Sequence, residues 1–89
     1  MTPTQRAIEM LKGSTGAWMT VTYIHGDEVD WDALAEHAVI LSGGEQAFVG
    51  LAYRIALDDV SAEHIARVRE RVDSRHNVLI DAALTEVEV

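Results

Sequence analysis

Apolar positions recur along this chain in two periods, and the switches between them mark its elements. Ala7, Ile8, Met10 and Leu11 share one helical face. Thr2-Pro3-Thr4-Gln5 opens it, with the Thr-to-Gln spacing of a capping box and a proline at the first helical position, where a missing N–H costs nothing. The pattern predicts a first helix over about 3–12, stopped by Gly13 in a left-handed conformation. From Ala17 to Ile24 the run is aromatic and β-branched without helical caps, which predicts a strand. Trp18, Thr20, Thr22 and Ile24 fall on one face, and the more apolar Met19, Val21 and Tyr23 on the other, directed at the helices. His25-Gly26-Asp27-Glu28 reads as a turn.

Asp30 then caps a second helix over about 31–41, with Val29 and Leu34 spaced as a hydrophobic staple and Leu34, Ala38 and Leu41 as its stripe, extended by His37 and Ile40. Ser42 and Glu45 repeat the capping-box spacing, placing Gly43 and Gly44 in the first turn of a third helix whose Phe48, Leu51, Ala52 and Ile55 face inward. Ser61 starts a fourth helix through about Asp73, with Ile65, Val68 and Val72 in register. Residues 77–89 are ambiguous. The alternation Thr85-Glu86-Val87-Glu88-Val89 favours a terminal strand, paired with 17–24 within the chain or across a dimer. The resulting fold class is α+β and helix-rich, with about four helices and a small two-stranded sheet.

Length leaves room for a single domain, 1–89, and 48% apolar residues suffice for a core. A domain this short buries only about 60–65% of its unfolded surface, which favours covering the remaining apolar area in a homodimer. Fifteen acidic against seven basic residues give a net charge of -8. That charge disfavours nucleic acid and anionic membranes and suits a basic partner. No apolar run is long enough to span a membrane and no secretory pattern opens the sequence, so a cytoplasmic location is expected. With no cysteine, disulfides and thiolate metal sites are excluded.

Leu41-Ser42-Gly43-Gly44-Glu45-Gln46, continued by Ala47, Leu51, Ala52, Ile55 and Leu57, resembles the signature motif of ABC-type ATPases. In that family, glycine amides at a helix start face the nucleotide phosphate held by another subunit. This sequence carries neither a phosphate-binding Gly-x-x-x-x-Gly-Lys-Ser/Thr loop nor the magnesium-binding strand, so the local match is set down as coincidental, and a capped amphipathic helix accounts for it. The same serine-glycine-glutamate helix start, followed by a Leu57-Asp58 junction, is similar to small proteins of actinobacteria and their phages. That resemblance implies no assigned activity, although it is compatible with a phage-encoded protein.

Three constellations bear on function. Asp27, Glu28, Asp30, Asp32 and Glu36 place five carboxylates within ten residues around Trp31. Such a stretch can engage an arginine-rich surface with tryptophan as anchor, or can complement a helix dipole beside a core tryptophan. His64, Arg67, Arg71 and Arg75 would share one face, as a recognition helix in a helix-turn-helix would present them. Glu63 and Arg67 at i, i+4 equally describe a solvated salt-bridged face. For metal, His25, His37 and His64 lack any pairing spacing, and no calcium loop is present.

Ser14, Ser42, Ser61 and Ser74 have no nucleophile setting. No cofactor motif appears, and the residues point away from catalysis. The leading expectation is a small non-catalytic protein that binds a basic surface of a partner, such as a host protein, through Asp27 to Glu36. The alternatives are a DNA-binding regulator using residues 61–75 and a phage structural subunit.

Overall fold

The computed structural model describes residues 2–14, 21–41 and 43–87. Within them the chain runs α1 (Pro3–Gly13), a 3-10 turn (Val21–Tyr23), β1 (Ile24–His25), β2 (Glu28–Val29), α2 (Trp31–Ala38), α3 (Gly43–Ala56), α4 (Ala62–Arg71) and α5 (Ser74–Val87). The class is the expected helix-rich α+β, but with five helices among the described residues rather than about four.

Thr2 caps α1 with both arms of the capping box: its Oγ1 accepts from the Gln5 amide at 3.1 Å, and Gln5 Oε1 accepts from the Thr2 amide at 2.9 Å. Gly13 does not adopt the left-handed conformation expected of a helix stop. It stays helical, and its role is steric: a Cβ there would stand 2.5 Å from a methyl of Leu79, so the missing side chain lets α5 approach α1.

The sheet is a local hairpin, with Ile24 opposite Val29 and His25 opposite Glu28 in antiparallel register. Gly26 sits at φ 64 while Asp27 keeps a negative φ, the arrangement of a type II′ turn. The expected strand over 17–24 is therefore corrected at its visible end, since residues 21–23 form a 3-10 turn, whereas 17–20 lie outside the described residues.

The expected terminal strand is also overturned, because α5 continues through Val87. Leu79, Ile80, Ala83 and Leu84 follow a helical stripe against the core, and this burial outweighs the short alternation at the end of the chain. Residues 88–89 lie outside the described residues.

The core gathers Ala7, Met10 and Leu11 of α1, Leu34 of α2, Phe48, Leu51, Ala52 and Ile55 of α3, Val68 of α4 and Ile80 of α5. Helix α1 packs chiefly on α3 and then on α5, while α4 lies along α3. The inward residues expected of α3 are buried as read, joined by Val49.

Two helix ends differ from expectation. α2 stops at Ala38, where Gln46 of α3 reaches back and its amide donates to the carbonyls of Val39 and Leu41 at 3.3 and 3.0 Å. This leaves Ile40, expected in the stripe, 73% exposed. α4 stops at Arg71, and the Asp73 carboxylate accepts from the His76 amide at 2.9 Å to open α5.

Candidate functional site

The acidic stretch that reads as one cluster in sequence is divided by the hairpin and the start of α2. Asp27 sits in the exposed turn and lines a shallow polar groove with Gln5, Glu9 and Lys12 of α1. Glu28 is exposed on β2. Asp30 is occupied as the N-cap of α2, accepting from the Ala33 amide at 3.2 Å.

Trp31 and Asp32 face elsewhere, into an open groove of about 390 Å³ between α2 and α3. Glu36 lies one turn after Asp32 and is exposed. Among the described residues none of Asp27, Glu28, Asp32 or Glu36 forms an ion pair. Asp32 and Glu36 thus stand at i, i+4 as like charges, which costs an isolated helix about 0.2–0.5 kcal/mol.

The groove is built from small and apolar side chains. Ala35, Ala38 and Val39 line it from α2, and Gln46, Val49, Gly50 and Tyr53 from α3. At one end the Trp31 ring meets Tyr53 edge-on, with centroids 5.1 Å apart, a geometry that favours aromatic pairs. At the other end Val39 is 74% exposed.

Gly50 sits inside α3 without a positive φ, and a Cβ added there would meet nothing within 4 Å. Glycine in a helix interior costs roughly 0.5–1 kcal/mol relative to alanine. The packing of this chain therefore gives no steric reason for glycine at position 50, in contrast to positions 13 and 44.

Of the residues that line this groove, the acidic stretch in sequence contains Trp31 and Asp32, but not Gly50, Tyr53 or Val39, and Glu36 stands outside the lining. The signals were present: a glycine inside an amphipathic run, an aromatic residue off the inward stripe of α3, and two adjacent β-branched residues after α2.

The basic residues proposed for groove reading in DNA do not form one stripe. His64 is half-buried, and burial first, then the nearby Arg54 and Arg67 guanidinium groups, hold its imidazole below the usual pKa. Arg67 pairs with Glu63 one turn earlier on the helix. Arg71 ends α4, and Arg75 belongs to α5 across the break at Val72 and Asp73.

The α3–α4 pair is also not crossed as in a helix-turn-helix. A Cβ on Gly44, in the first turn of α3, would lie 2.5 Å from the Arg71 carbonyl oxygen at the end of α4. The helices run side by side over that length, whereas a crossing near 90–120° would part those ends. Gly44 of the ATPase-like motif thus serves helix packing, whereas a Cβ on Gly43 would meet nothing within 4 Å. The Ser42 half of that capping box lies outside the described residues.

Elsewhere, His76 is buried edge-on against Phe48 at 4.8 Å, with Nδ1 2.7 Å from the Asp73 carboxylate. The His76 backbone N–H, and then its ring, hold the Asp73 carboxyl below the ordinary carboxylate range. Among the described residues no group of His, Asp and Glu side chains is placed to hold a metal ion, and no helix is long and apolar enough to cross a membrane. Comparison with protein families, with curated proteins and with solved structures returns no match to this chain.

Proposed function

We propose that this protein is a non-catalytic interaction module of the cytoplasm that binds a basic surface of another protein at the α2 end of its acidic stretch. The observation that carries the reading is the Trp31–Tyr53 pair at the mouth of the α2–α3 groove, with Asp32 lining the same groove. A half-buried tryptophan beside a carboxylate that has no ion pair among the described residues supplies both an apolar anchor and a charge for a cationic side chain.

Within the acidic stretch the contributions are unequal. Trp31, Asp32 and Glu36 form the contact, Asp30 holds the helix start, and Asp27 and Glu28 on the hairpin add longer-range attraction. No observation favours the DNA-binding or phage-subunit readings over this one.

The test is affinity capture with the purified protein at low and high salt, identifying both bound protein and nucleic acid. It is followed by measuring the captured partner against the Asp32→Asn/Glu36→Gln double variant. The reading expects a protein partner released at high salt and weakened by the variant. Unchanged affinity of the variant, or capture of nucleic acid alone, would overturn it. A homodimer, expected from surplus apolar surface, is a companion proposal supported by exposed Leu57 and Val78, which lie outside the groove. Sedimentation at several concentrations tests it, and a monomer throughout would remove it.

A further inference from the structure

We infer that the α2–α3 groove takes one amphipathic α-helix of the partner protein, with lysine or arginine along one edge of its apolar face. The inference rests on the proposed acidic contact and adds the form of the ligand. An extended peptide would find no strand edge to pair with here, because both walls are helices, whose main-chain groups bond along their own axis beyond the first turn. A helix satisfies its own main chain and needs only an apolar seam and room for close approach.

The groove offers both. Ala35, Ala38 and Gly50 form a low floor, Val39 and Val49 flank it, and the Trp31–Tyr53 pair closes one end. Gly50 has helical backbone and open space above it, so the floor is low enough there for another helix to approach closely.

Charge selects among occupants. Asp32 lines the groove, and exposed Glu36 follows one turn later on α2 just outside that lining; both lack ion pairs among the described residues, and together they match cations one turn apart on an opposing helix. The nearest cation in sequence on the α3 wall, Arg54, lies 4.0 Å from Asp59 at the α3–α4 junction. The Gln46 amide is already engaged with the Val39 and Leu41 carbonyls. A second copy of this chain would bring its own charge of -8 against this edge, so a cationic helix is favoured over self-association at the groove.

The experiment uses the full chain and three synthetic peptides, each about five helical turns long. One is a leucine-alanine-lysine amphipathic helix, one has the same composition scrambled to remove the apolar face, and one carries glutamate in place of lysine. Affinity is read by calorimetry and location by backbone amide shifts. The amphipathic cationic peptide should bind best, shift the amides of Ala35, Ala38, Val49 and Gly50, and gain helicity.

Gly50→Leu, which fills the groove from an open position, should weaken that binding by about tenfold or more while thermal unfolding shows the fold intact. Groove amides that stay still, or a folded Gly50→Leu with unchanged affinity, would overturn the inference. Equal binding of the scrambled cationic peptide, with shifts confined to Asp32 and Glu36, would sink the helical ligand and leave the acidic contact standing. Failure of both cationic peptides, or equal binding of the glutamate peptide, would sink both.

Discussion

Gly44 and Arg71 meet so closely that no side chain fits between them: a Cβ on Gly44 would lie 2.5 Å from the Arg71 carbonyl oxygen. The positive end of α3 thereby faces the negative end of α4, and the two helix dipoles complement each other. Gly44→Ala should destabilise the fold by about 1–3 kcal/mol, because the obstacle is backbone and cannot rotate away. Gly13→Ala meets only the end of the Leu79 side chain and should cost less. Urea denaturation of both variants checks the order, and equal losses would count against the α3–α4 contact.

Asp58 occupies the left-handed region at φ 54 just after α3. The amides of Asp58 and Asp59 donate to the carbonyls of Ile55 and Arg54, each at 3.0 Å, which is the hydrogen-bond pattern of a Schellman cap. Glycine is the residue that adopts this conformation without penalty, so Asp58→Gly should stabilise the protein by about 0.5–1 kcal/mol. A rise in Tm supports this cap geometry, and a fall contradicts it.

Acid should weaken the fold in two stages. His64 is held below its usual pKa by burial and then by Arg54 and Arg67, so the unfolded chain takes up a proton before the native one does. Its contribution is complete above about pH 6.5 and declines as pH falls toward the folded value. Asp73, held low by the His76 amide and ring, acts in the same direction below about pH 3.9, where the unfolded carboxyl begins to protonate first. Tm measured between about pH 7.5 and 5.5 should fall for the native chain and fall less for His64→Gln. Parallel curves would remove His64 from the account.

Gly50→Ala separates folding from binding. The added methyl meets open space within a helix, so stability should rise by about 0.5–1 kcal/mol. The same methyl raises the floor of the groove and should weaken a docked helix. Thermal unfolding together with peptide affinity reads both effects, and a variant that gains stability without losing affinity would show that the groove floor is not used.

Much of the fold is legible from local physics. Thr2, Asp30 and Ser61 all cap helices where their spacing predicts, and the inward stripe of α3 is buried as expected. What local pattern could not supply was long-range. α1 does end at Gly13, but that glycine is required by a close approach rather than a left-handed turn, and its steric partner, Leu79, is far away in sequence. The tail looked like a strand because Thr85 to Val89 alternates, whereas burial of Ile80 and Ala83 decides for helix. The candidate site was half visible: Trp31 and Asp32 stood out in one segment, but Gly50 and Tyr53 join them only once α2 and α3 pack together.

The most direct measurement of the central claim is the salt dependence of binding a cationic amphipathic peptide, for the native chain and for Asp32→Asn/Glu36→Gln. Exposed charge pairs contribute about 0.2–1 kcal/mol each and are screened within about 10 Å at 0.1 M salt. The native chain should therefore bind more weakly as salt rises, and the double variant should bind about two- to tenfold more weakly at low salt with a flatter dependence. Identical curves for the two proteins would contradict the claim that this edge of α2 receives a basic partner.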